Sequence, residues 1–140
     1  MTVTALSDHR QTRATVELEQ RYLQVARQGV LDLTTISAGT VDEDVARVTA
    51  ASTGKFRDEF AARLDDFVAV VQQANVTATG SVTAAGIETM TDSRATVLVA
   101  ATSSVSNSSG AVDEPRIWRI RVSLEREDQR VALSDVEFVP

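Results

Sequence analysis

Between Thr53 and Gln73 the apolar residues Phe56, Phe60, Leu64, Phe67 and Val71 recur at spacings of four, four, three and four. That recurrence lays one stripe along an α-helix. Lys55, Asp58, Glu59, Arg63, Asp65 and Asp66 fall on the opposite face. Three of the four phenylalanines of the chain stand on this stripe, so it needs a broad apolar surface over it. Upstream, Leu18, Tyr22, Val25 or Ala26, Gly29 or Val30, Leu33 and Ile36 form another stripe. It predicts a long helix from about Thr15 to Ile36. Before Thr15 the periodicity is weak, although Ser7 and Asp8 have cap chemistry. Ser37-Ala38-Gly39-Thr40 ends the helix, with Gly39 suited to the left-handed C-terminal position. Thr40-Val41-Asp42-Glu43 reads as a capping box. It opens a short second helix with Val41, Val45 and Val48 on one face. Ser52 or Thr53 then caps the Phe-rich helix.

After Asn75 the period changes. Val76 to Ile87 is rich in Thr, Val, Ala and Gly and reads as a strand, with Gly80 and Gly86 marking bulges or close backbone approach. Ala95 to Val105 is a second strand, and its near-continuous apolar run predicts burial on both faces. Arg116 to Glu125 alternates, with Trp118, Ile120, Val122 and Leu124 on one side and Ile117, Arg119, Arg121 and Ser123 on the other. Val131 to Val139 is the last strand. Three helices followed by four strands on short turns imply an α+β fold, with the helices packed on a curved four-stranded antiparallel sheet. The expected shape is a cystatin-like or nuclear-transport-factor-2-like cone. The third helix is expected in its concave face, Phe against Trp118, Ile120 and Val122. Residues 15–140 form that single domain, and residues 1–14 a juxtamembrane stalk or flexible N-terminus.

Composition narrows the partners. The formal net charge is −6, with 14 Lys and Arg against 20 Asp and Glu. Nucleic acid and anionic membrane surfaces need concentrated basic charge, so neither fits. Cysteine is absent, which removes disulfides, thiolate metal sites and cysteine nucleophiles. No run approaches the roughly 18–20 apolar residues of a membrane span.

The candidate chemistry is sparse. His9 is the single histidine and has no carboxylate or serine at catalytic spacing; it reads as an exposed residue. Asp42, Glu43 and Asp44 read as a helix N-terminus, because Asp-x-Asp-x-Asp-Gly calcium spacing is absent. No phosphate loop and no nucleophile elbow surrounds Gly80, Gly86, Gly110 or the serines 103–109. Asp135, in the last strand, is the acid left without an assigned face. Arg116, Arg119 and Arg121, with Arg126 and Arg130, concentrate positive charge on one hairpin. They read as a solvated sheet face balanced by Glu125, Glu127 and Asp128, or as a docking patch for an acidic protein surface. No catalytic residue, cofactor or metal ligand is assigned.

At Leu31-Asp32-Leu33-Thr34-Thr35 the chain begins to resemble the Mce-associated membrane proteins of actinobacteria. The likeness continues through Val41-Asp42-Glu43-Asp44-Val45 and Thr53-Gly54-Lys55-Phe56-Arg57-Asp58-Glu59-Phe60. It returns at Val97-Leu98-Val99-Ala100 and closes with Ser134-Asp135-Val136-Glu137-Phe138-Val139-Pro140. The family usually has an aromatic where Ile36 stands, and Gly-x-Trp where Gln129-Arg130-Val131 stands. The resemblance implies a single-pass membrane protein with its N-terminal helix outside this chain. It also implies an envelope-side domain similar to periplasmic components of type IV secretion systems. The function it implies is a non-enzymatic accessory or stabilising subunit of an Mce lipid importer, with Mce subunits as partners. The alternatives are a cone that binds an apolar small molecule or acts as an isomerase, and a secretion-type assembly scaffold. If residues 1–13 are stalk, their deletion should change stability by less than about 1 kcal/mol. Leu33, read as a core position, should cost about 2–5 kcal/mol when replaced with Ala.

Overall fold

The computed structural model describes residues 2–140, with side chains described from Arg10 onward. The order is α1 (Thr2–Thr34), β1 (Ile36–Ser37), a 3-10 turn (Ala38–Thr40), α2 (Val41–Ala50), α3 (Gly54–Gln73), β2 (Thr77–Met90), β3 (Arg94–Ser106), β4 (Glu114–Glu127) and β5 (Arg130–Phe138). The strands form one antiparallel sheet in the order β1-β2-β3-β4-β5. The sheet has five strands, not four. The added strand is two residues long and pairs Ile36 with Ala78 and Ser37 with Thr77. Two residues cannot show an alternation, so only the distant partner makes this a strand. Register shifts at Val82/Ala84 and Ile87/Thr89 in β2, and at Ser123/Leu124 in β4, let the sheet curl into a half-barrel.

The helix in the concave face is α1, not α3. Tyr22, Ala26 and Val30 of α1 are fully buried against Val97, Val99, Ile120, Val122, Leu124 and Leu133. Gly29 permits this contact: a Cβ there would stand 2.8 Å from the Leu133 methyl groups. Gly80 permits the next, since a Cβ on it would stand 1.9 Å from Thr34 Oγ1. The close approach expected of Gly80 is therefore real, whereas nothing lies within 4 Å of a Cβ at Gly86. The helix also starts far earlier than Thr15. Its lead-in needs no apolar face, because backbone hydrogen bonds propagate outward from the packed turns. His9 lies outside the residues with described side chains, and α1 runs through the segment where Ser7 and Asp8 had cap chemistry. At its other end α1 stops at Thr34, and Gly39 sits in the 3-10 turn rather than in a left-handed position.

The Phe stripe builds a smaller, second cluster. Phe60, Leu64 and Phe67 pack on Ile36, Val41, Val45 and Val71, while Phe56 reaches the edge of the main core. Of α3, only Val71 is buried. The helix is held at its two ends. At its start, the Thr53 N–H donates to the Leu133 carbonyl and the Leu133 N–H to the Ala51 carbonyl, each at 2.8 Å. At its finish, Asn75 takes φ 49° while the Val76 N–H donates to Val71 and the Asn75 N–H to Gln72. That is a Schellman closure with Asn in the left-handed position. Among the described residues no helix covers the outer face of the sheet. Burial in β3 accordingly alternates, with Leu98 41% exposed, and the two-sided burial expected of that strand does not occur.

Candidate functional site

The arginines of the β4–β5 hairpin separate. Arg119 and Arg121 lie on the outer face, opposite Ala100 and Leu98. Arg116 pairs with Ser103, whose side chain is buried on the inner side. Arg121 donates from Nε and Nη2 to the two oxygens of Glu88 at 3.2 and 3.3 Å, and from Nη1 to Glu137 at 3.4 Å. Arg116 pairs with Glu114 at 2.6 Å, and this hydrogen bond and charge hold the Glu114 carboxyl below its usual range. Arg130 Nη2 donates to the carbonyls of Ala50 and Ser52 at 2.6 and 3.1 Å, at the C-terminal end of α2. A cation there suits the helix dipole. Arg119 makes no ion pair among the described residues. It stands on the outer face with exposed Ile117 and Leu98.

The acidic run at the start of α2 builds one buried carboxylate. Asp44 is 4% exposed. Its Oδ2 accepts from the Ser37 N–H at 3.0 Å and from the Thr40 hydroxyl at 2.9 Å, and its Oδ1 pairs with Arg47. Burial raises the carboxyl pKa, and the hydrogen bonds from Ser37, Thr40 and Arg47 outweigh it, leaving it lowered. Thr40 therefore does not cap through a bond to the backbone, as a capping box requires; its hydroxyl is spent on Asp44. Asp42 and Glu43 are exposed. Asp135 is also exposed, opposite Ser123 on the outer face. Among the described residues no three of His, Cys, Asp and Glu stand close enough to hold a metal ion.

The feature that periodicity did not announce is a cavity. Beneath the middle of α3 an apolar chamber of about 410 Å³ is bounded by Phe60 and Phe67 above, Trp118, Ile120 and Val105 below, and Leu33 at one side. Its walls carry no charged side chain. Buried Ser103 faces it and accepts from Trp118 Nε1 at 2.9 Å. Phe138, tilted 56° from Trp118 at a centroid distance of 5.5 Å, borders both the chamber and an outer cleft of about 370 Å³. Glu59 and Arg63 line that outer cleft. Trp118 and Ile120 thus face Phe60 and Phe67 across open space and do not pack against them, contrary to expectation. Val122 lies under α1 instead.

Residues 2–140 match the family described as "Uncharacterized protein Rv1363c/MT1408-like". The chain belongs to that family. It is 50% identical over 115 residues to Rv1363c of Mycobacterium tuberculosis. The match takes in 82% of this chain and 44% of the relative, so the Rv1363c-like region here spans less than half of that protein's length. Among solved structures, the Rv1363c-like fold is similar to an IcmL-like type IV secretion system protein of Legionella pneumophila. The TM-score is 0.69 at 8% identity, covering 86% of this chain and 91% of that one. The periplasmic domain of DotI gives 0.65 at 16% identity, over 85% and 93%. The intermembrane-space region of the chloroplast protein ARC6 gives 0.60 at 8% identity, over 86% and 95%. At these identities the likeness shows the fold.

Proposed function

We propose that this chain is a non-enzymatic assembly domain of the cell envelope, working by protein–protein contact beside a membrane. The observation that carries the reading is the likeness of fold to domains described as periplasmic or as lying between two membranes. The secretion-system neighbour adds the assembly role. Within that role we place the chain as an accessory of an Mce-type lipid importer, tethered by a membrane helix outside residues 1–140. The ordered resemblance from Leu31 to Pro140 supports this finer reading. No helix among the described residues is long and apolar enough to cross a membrane. The docking contact is assigned to the outer sheet face, where Arg119 has no ion partner among the described residues and Ile117 is 81% exposed. Affinity purification of the full-length protein from its native envelope tests the proposal. Mce or permease subunits are expected to co-purify, and Arg119→Glu should weaken their recovery. Recovery without either subunit class would overturn the importer assignment.

A further inference from the structure

The chamber beneath α3 is large for a packing defect. A cavity of about 150 Å³ already takes benzene, and ligand pockets run from roughly 300 to 1,000 Å³. At about 410 Å³ this one falls in the ligand range. It also cannot close by the simplest route, which is descent of the helix onto the sheet. One end of α3 is fixed to β5 through Thr53 and Leu133, and the other through Ala74, whose carbonyl accepts from the Ser108 N–H and hydroxyl at 2.8 and 2.9 Å. Two pinned ends hold the middle of the helix away from Trp118 and Ile120. Val70 and Phe138, each 61% exposed, border the opening.

The walls state what would fit. They hold no charge, so an ionised ligand group inside would lose its hydration without a counter-charge. They do hold Ser103, only 6% exposed. Its oxygen already accepts from Trp118, and its own hydrogen has no acceptor among the described residues. A hydroxyl in that state calls for an acceptor atom from whatever fills the space. We propose that the chamber binds one uncharged, mainly hydrocarbon molecule carrying a hydrogen-bond-accepting oxygen, its oxygen at Ser103 and its chain under Phe60 and Phe67. This binding is independent of the assembly role.

Trp118 is the single tryptophan of the chain and lines the chamber, so its emission reports occupancy. Titration of the folded protein with 1-decanol should shift that emission saturably, with calorimetry giving one molecule per chain. Decanoate at neutral pH should bind about tenfold more weakly or worse, since it must bury a charge. Ser103→Ala should weaken decanol by about fivefold, the effect of one hydrogen bond. Ala78→Phe, which fills the chamber from β2, should abolish the binding. Should that variant fold poorly, nuclear Overhauser contacts from decanol chain protons to the rings of Phe60, Phe67 and Trp118 in the unmodified protein decide the matter. An absent or unsaturable shift, equal binding of decanoate, or contacts that avoid those rings would each overturn the proposal.

Discussion

Asp44 shows how a single side chain can organise a junction. Its carboxylate joins the Ser37 backbone, the Thr40 hydroxyl and Arg47, tying β1, the 3-10 turn and α2 together. Asp44→Ala should therefore cost about 2 kcal/mol or more, since hydrogen bonds to charged groups contribute about 1.5–3 kcal/mol. The sign with pH follows from the lowered pKa. The folded value lies below the ordinary 3.8, so the stabilisation is complete above that value and is lost as pH falls through the folded one. Urea melts should show a gap between the two proteins at neutral pH that narrows as the pH is taken below the ordinary 3.8 and through the lowered folded value. Two glycines give the second residue-scale comparison. Gly80→Ala would drive a Cβ into Thr34 and should cost about 1–3 kcal/mol. Gly86→Ala meets nothing and should stay within about 0.5 kcal/mol in the same melts.

The helices divide the labour differently from their sequence patterns. The weaker stripe, on α1, carries the main core; the stronger stripe, on α3, covers a chamber. Leu33 reflects this: it is half-buried and borders open space, so Leu33→Ala should cost less than the 2–5 kcal/mol of a fully buried leucine. Leu133, fully buried against Gly29, is the position where about 2–5 kcal/mol is expected. Along α1 the side chains from Arg10 to Glu17 are exposed. Deleting residues 1–13 should then change stability by less than about 1 kcal/mol in thermal melts, although the segment is helical. A loss matching Leu133→Ala would show that the lead-in packs as core.

At the scale of the whole molecule, two apolar clusters imply two levels of stability. The larger joins α1 to β3, β4 and β5, and the smaller joins α3 to α2 and β1. Local opening follows the cluster with fewer buried contacts. Hydrogen exchange read by mass spectrometry should find the amides of α3 exchanging well before those of α1 from Tyr22 to Val30, and before β3 and β4. Equal protection of the two helices would mean that α3 is packed more tightly than one buried residue, Val71, allows. An α3 that opens first would also be the route by which a ligand enters the chamber.

The period of the apolar residues determined the helices, the four long strands and the α+β class, because burial of one face leaves a local signature. Turn residues placed the hairpins, and the change of period after Asn75 marked the end of α3. At its start neither Ser52 nor Thr53 caps with its hydroxyl; these bond instead to the Val48 carbonyl and to Glu127. Several things had no local signature. The two-residue β1 exists through its pairing with Thr77 and Ala78, far along the chain. The choice of α1 over α3 as the inner helix rests on Gly29 and Gly80, whose missing side chains admit Leu133 and Thr34. The bareness of the outer sheet face leaves β3 buried on one side, whereas the alternation along β4 had already set Arg119 and Arg121 apart from Arg116. The chamber is the furthest case: a stripe of phenylalanines tells that a surface must be covered, but not how far above it the helix ends will hold it. Both ends of α3 are fixed by hydrogen bonds to β5 and to the loop at Ser108, distant in sequence, so only the tertiary structure could decide whether that space was filled or left open.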